Sequence, residues 1–133
     1  MVGEETTSRH PASFIVKKNQ VLLSLKVRDF SHIDEKRLGL IFHELDRLNI
    51  KINLMQNSAI SFSICIDKKF DKVERLKKNL EEHFDIGYHE NLELITIKNY
   101  DEHSFDKIGP GINVLMEQKT KNNWYLLHSR NLS

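Results

Sequence analysis

Asn49 to Asp67 reads NIKINLMQNSAISFSICID, and its second half decides the fold. Ile52 to Asn57 has the composition of a strand, Asn57-Ser58 suits a turn, and Ile60, Phe62, Ile64 and Ile66 alternate with Ser61, Ser63 and Cys65. Alternation at period two sends one set of side chains to each face, so a β-hairpin is expected. Just upstream, Asp34 stands in an N-cap position ahead of Leu38, Ile41, Leu45 and Leu48. Those spacings mark an amphipathic helix. Further back, Val21, Leu23, Leu25 and Val27 share one face of a strand, and Ser13 to Lys17 (SFIVK) forms a separate short strand, with Lys18-Asn19-Gln20 as a turn between them.

Downstream the pattern repeats. Phe70, Val73, Leu76, Leu80 and Phe84 define a second amphipathic helix, and Asp85 to Tyr88 supplies short strand material. The order is βαββαβ, the ferredoxin-like plan of class α+β, in which two helices cover one face of a four-stranded antiparallel sheet and leave the other face to pair with something. Leu92 to Asn99 is another strand, Asp101 to Ile108 has room for a helix of about two turns, and Gly109-Pro110-Gly111 ends it. Strands at Asn113 to Gln118 and Asn123 to His128 flank the polar turn Lys119 to Asn122. Three organisational pieces follow. Residues 1–12 (MVGEETTSRHPA) form a loose tail, residues 20–91 a continuous first module, and residues 13–19 with 92–133 a second, abbreviated module completed by the early strand.

With 133 residues the chain can bury a core. Its 20 basic and 19 acidic side chains leave a formal charge of +1, so there is no general attraction to phosphates and nucleic acid is not an expected partner. No apolar run approaches the ~20 residues of a membrane helix, and a single cysteine, Cys65, cannot form an internal disulfide; a reducing cytoplasm is the expected compartment. Phosphate loops and the GxSxG, HExxH and CxxC patterns are missing from the sequence. Among the histidines only His83 and His89 approach a ligand spacing, so neither metal nor cofactor is expected. Cys65, between isoleucines on a strand, reads as a small buried side chain rather than a nucleophile.

The polar interruption Asn53, Gln56, Asn57 in an apolar strand near its turn is the chemical feature of note. Amides offer donors and acceptors without net charge, which suits the carboxylate and ammonium of a free amino acid. On the residues alone a second reading stands beside it, with Asn57 serving the turn and Gln56 facing water.

The stretches FIVKKNQVLLSLKV, IFHELDRLNIKIN, LMQNSAISFSICID and HENLELITIKNYD resemble, in nearly unbroken order from Ser13 to His128, the C-terminal regulatory region of aspartate kinases. The NIKINLMQNS segment is the most specific element, similar to the family pattern of a helix-ending Asn-Ile, an alternating strand and Gln-Asn at the effector site. The resemblance implies two ACT domains, one continuous and one assembled from an early strand plus the C-terminal segment. It implies an end-product effector such as lysine or threonine, a homodimer through the ACT domains, and control of an aspartate kinase catalytic domain in the full-length protein. The family's Lys-Phe-Gly-Gly kinase opening is not in this chain, so no phosphotransfer is expected of it. By position, the effector would meet the Arg28 to Asp34 loop, with Ser31, His32, Ile33 and Asp34 offering backbone groups near a helix start, and the strand and turn residues Ile52, Asn53, Gln56, Asn57 and Ser58. Lysine-sensitive relatives often carry acidic residues where Asn53 and Ala59 stand, so the identity of the effector stays open. The alternative function is a structural dimerisation module that binds no small molecule. The stripe Ile60, Phe62, Ile64 and the edge of the Val21 to Val27 strand are the surface expected to need cover from a second copy.

Overall fold

The structure, a computed structural model, describes residues 11–29, 32–104, 106, 108 and 111–130, with only the backbone of Phe70 and Arg130. Ser31 and all of the expected tail except Pro11 and Ala12 lie outside the described residues. The elements are β1 (Ser13–Val27), α1 (Glu35–Arg47), β2 (Ile52–Asn57), β3 (Ser61–Asp67), α2 (Phe70–Leu80), β4 (Phe84–Lys98), β5 (Ile112–Lys119) and β6 (Asn123–Arg130). Hydrogen-bonded neighbours follow the order β2-β3-β1-β4-β6-β5. Contacts group the chain into one unit of Asn19–Leu92 and another of Met1–Lys18 with Glu93–Ser133.

In the unit Asn19–Leu92, β1 lies between β3 and β4, with β2 beyond β3. The antiparallel register sets Val21 opposite Ile66, Leu23 opposite Ile64 and Leu25 opposite Phe62. All six belong to one core with Ile41 and Leu45 of α1 and Val73, Leu76 and Leu80 of α2. The apolar stripe expected to wait for a second copy is therefore packed under the helices of its own unit. Ile60 falls outside β3 and is 41% exposed. Leu22, Leu54 and Cys65, on the face away from the helices, are also buried, so the expectation of one open sheet face does not hold for them.

α1 forms where its caps and stripe agree. The Asp34 carboxylate accepts a hydrogen bond from the Arg37 backbone N–H at 3.0 Å, Glu35 lies in the first turn and Arg47 in the last, each the favourable sign for the helix dipole. Its end is a Schellman motif. Asn49 is left-handed (φ 57), its N–H bonds Asp46 O at 3.0 Å, and Ile50 N–H bonds Leu45 O at 2.8 Å. Ile50 and Leu45 both reach the core, which adds the apolar contact of that motif.

The two strands expected at Ser13–Lys17 and Val21–Val27 are one strand of 15 residues, and the two expected at Asp85–Tyr88 and Leu92–Asn99 are likewise one. In each, a single left-handed asparagine, Asn19 (φ 56) or Asn91 (φ 61), bends the chain without ending the strand. Asparagine tolerates that conformation at low cost, so a turn-like tripeptide need not be a turn.

In the other unit, residues 13–18 of β1 and 93–98 of β4 join β6 and β5 in that order. Its core is Ile95, Ile97 and Leu126, with Ala12, Tyr100, Ile108 and Trp124 packed against it. The expected helix at Asp101–Ile108 is a turn over residues 102–104 and a single 3₁₀ position at Asp106; Phe105 and Lys107 lie outside the described residues. The Asp101 carboxylate accepts from His103 N–H (2.9 Å) and Ser104 Oγ (3.2 Å), an Asx-type arrangement that competes with a helix.

Leu45 is 2% exposed in the middle of the core. Its replacement by alanine is expected to lower unfolding free energy by about 2–5 kcal/mol, read from denaturant or thermal melts.

Candidate functional site

The β2–β3 turn and the loop before α1 meet. The Ile33 N–H donates to Ala59 O at 3.3 Å. The turn is held by Ser58, whose N–H reaches Ser61 O at 2.9 Å while its hydroxyl lies 2.8 Å from Ser61 Oγ and accepts from Ser61 N–H at 3.2 Å. Ser58 is thus spent on the turn. Gln56 and Asn57, just before it, are exposed, and their side-chain amides make no hydrogen bond to another described residue.

Asn57 pairs with Phe62 and Gln56 with Ser63, so the two amides project from opposite faces of the β2 edge. A bulge between Ile52 and Leu54 shifts the register behind them. It turns Asn53 into a half-buried polar cluster, where its Nδ2 donates to Gln20 Oε1 (2.7 Å) and Asp67 Oδ1 (2.9 Å). Gln20 in turn donates to Asp67 Oδ1 at 2.8 Å and accepts from Cys65 Sγ at 3.1 Å. Asn53 therefore sits about 10 Å along the strand from Gln56, and the structure does not bring it to the turn. Ile52 and Ile33 pack against the core, and His32 is exposed. Ile33, Asp34, Gln56, Asn57 and Ser58 are the expected residues that share one end of the unit.

At that end an open groove of about 760 Å³ runs between the loop after β1, the start of α1 and the α2–β4 connection. Arg28, Asp29, Asp34, Arg37, Glu82 and His83 are among its walls, charges of both signs that can receive both ends of a zwitterion. Arg28 is anchored by a hydrogen bond to the Glu81 carbonyl and lies 3.8 Å from Asp85. The sequence reading places Arg28 at the start of the effector loop and weighs His83 only as a metal ligand; it does not join either to Arg37, because long-range proximity gives no periodic signal. The start of α1 is already served by its own anion. The Arg37 backbone N–H bond holds the Asp34 carboxyl below its ordinary range, with the Arg37 guanidinium, 3.1 Å away, acting in the same direction and desolvation opposing it.

No protein-family model matches the chain, and no curated protein matches it in sequence. Solved structures do match it. E. coli aspartokinase III in complex with lysine and aspartate is 21% identical, with a TM-score of 0.67 over 86% of this chain and 28% of that one. A putative C-terminal regulatory domain of aspartate kinase from Porphyromonas gingivalis W83 gives 12% identity and a TM-score of 0.66, over 90% of this chain and 86% of that one. The ligand-free regulatory subunit of aspartate kinase from Thermus thermophilus gives 11% and 0.66, over 92% and 89%. The fold is that of the regulatory part of aspartate kinases. This chain spans 28% of the E. coli enzyme's length but nearly all of the two regulatory pieces.

Among the described residues no group of His, Cys, Asp or Glu is placed to hold a metal ion, and no helix is long and apolar enough to cross a membrane.

Because Asp34 titrates below its unfolded value, the stability it contributes is present above the ordinary carboxylate range and is lost as pH falls through the folded-state pKa. Asp34→Ala is expected to lower the melting temperature at neutral pH, with the gap to the parent chain closing as the pH is lowered through that range.

Proposed function

We propose that this chain is the amino-acid-sensing regulatory region of an aspartate kinase, which receives an end-product amino acid such as lysine or threonine at the β2–β3 turn and passes its presence to a catalytic domain. The observation that carries this reading is the pair of exposed, uncommitted amides of Gln56 and Asn57 on a turn hydrogen-bonded to the loop before α1. It stands in a fold shared with aspartate kinase regulatory parts, one of them solved with lysine and aspartate. Ligand binding can regulate only by favouring one arrangement over another, and a site made from two segments joined by one backbone hydrogen bond is suited to that.

A homodimer belongs to the same reading. Met55 (49% exposed), Phe42 (41%) and Ile60 (41%) lie on or beside the helix-side edge of β2, and Phe42 packs edge-on to Phe62 at 5.6 Å. A second copy laid along that edge would cover them and stand next to the amides. The same apolar residues favour the second reading, a dimerisation module with no ligand. The buried Cys65, which forms no disulfide, accords with a cytoplasmic setting.

Titration calorimetry with lysine, threonine, methionine and other amino acids separates the two. Gln56→Ala and Asn57→Ala are each expected to weaken binding about five- to thirty-fold, or about 1–2 kcal/mol, with unchanged melting temperatures. Unchanged affinity in both variants would move the effector away from this turn, and a folded dimer that binds none of the amino acids would leave the dimerisation module.

A further inference from the structure

The junction of α1 with β2 and the first turn of α2 enclose a cleft of about 60 Å³, at the far end of β2 and β3 from the β2–β3 turn. Three ammonium groups, those of Lys51, Lys69 and Lys72, belong to its walls, with Asp67 as the one carboxylate; Asp71, beside Lys72 in sequence, is not among them. The whole chain carries a formal charge of only +1, so this concentration of positive charge is local. Lys72 Nζ donates to Asn49 O at 3.2 Å, which answers the carbonyl that would repel an anion and leaves two of its three donors. The Asp67 Oδ1 already accepts from Gln20 Nε2 at 2.8 Å and Asn53 Nδ2 at 2.9 Å, so that carboxylate is engaged by the inner cluster. Lys68 is turned away to Glu90, 3.0 Å off. Lys51 and Lys69 are exposed, and among the described residues their ammonium groups make no hydrogen bond or ion pair.

Size and charge narrow the ligand. A pocket for a whole small molecule measures roughly 300–1,000 Å³, so a cleft of about 60 Å³ takes one group of a molecule and not the whole. Three ammonium groups against one carboxylate leave an excess of two positive charges. A phosphate monoester carries a charge of about −1.5 to −2 at neutral pH and matches that excess. A carboxylate would neutralise half of it. A tetrahedral phosphate also turns three oxygens to three separate donors, and lysine serves phosphate as a point charge with no fork geometry to satisfy. We propose that the cleft between Lys51, Lys69 and Lys72 is a binding site for a phosphate group. It lies away from the Gln56-Asn57 turn and does not rest on effector binding there.

The probes are inorganic phosphate and adenosine monophosphate, each titrated into the full chain with ionic strength held constant by sodium chloride, and binding is read from the backbone amide shifts of Lys51 and Lys72 in NMR spectra. Lys51→Ala and Lys69→Ala are each expected to raise the dissociation constant for phosphate at least about fivefold. Their melting temperatures should not change, because neither ammonium has a partner in the fold to lose. Lys78→Ala removes the same charge from an exposed position in the last turn of α2, outside the cleft, and is expected to leave the constant within about twofold of the parent chain. Binding of both probes would assign the cleft to the phosphate of an ester, and binding of inorganic phosphate alone to the free anion; either result upholds a phosphate site. Shifts no larger than those produced by sodium chloride, or an equal loss of affinity in Lys78→Ala and Lys51→Ala, would overturn the proposal.

Discussion

Val21, Leu23, Leu25 and Val27 form the stripe on which the larger unit is assembled, and none is more than 4% exposed. β1 lies between β3 and β4, so this one set of side chains receives α1, α2 and the inward faces of both neighbouring strands. A slip of one residue would carry the whole set to the other face, which makes register the property most in need of specification. The cluster of Gln20, Asn53, Asp67 and Cys65 specifies it from the end of the strand. Gln20 is 1% exposed and bonds both Asp67, its cross-strand partner, and Asn53 of β2, so a shifted strand would bury polar groups away from these partners.

Most of the larger unit was legible because its signals are local and mutually consistent. The 3.6-residue stripes of α1 and α2, the Asp34 cap, the Asn49-Ile50 stop and the period-two alternation of β3 agree with what their neighbours require. What failed was the reading of breaks and faces. Lys18-Asn19-Gln20 has turn composition, yet a left-handed asparagine inside a strand produces the same residues with no turn. Periodicity separates the two faces of a sheet without saying which one the helices take, and here they take the face of Phe62 and Ile64. The Asp101–Ile108 helix lost to local side-chain bonds of Asp101.

The site was legible only in part, for a related reason. Alternation along β2 would place Asn53 and Asn57 on one face, but the bulge between Ile52 and Leu54 breaks the count and sends Asn53 inward. Bulges leave no reliable mark in composition. Arg28 from the loop after β1, Arg37 from the first turn of α1 and His83 from the α2–β4 connection meet at the groove, and nothing short of the fold brings the last to the other two.

The two units differ in how far the chain itself already uses one feature they share. Each repeats the same link between the segment after a strand and the tip of a hairpin, Ile33 N–H to Ala59 O in one and Tyr100 N–H to Asn122 O in the other, both at 3.3 Å. The surroundings differ. At the second tip Lys119 Nζ lies 4.1 Å from the centre of the Trp124 ring and 5.7 Å from that of Tyr100, while Trp124 Nε1 donates to Glu117 at 2.6 Å. An ammonium of the chain itself is already held against two aromatic faces, and a carboxylate of the chain is already bonded beside them. At the first tip the amides of Gln56 and Asn57 are uncommitted, and the neighbouring groove holds charges of both signs. A zwitterionic ligand would gain hydrogen bonds at the first tip that it would have to take from the protein at the second, which favours the first tip for the proposed site.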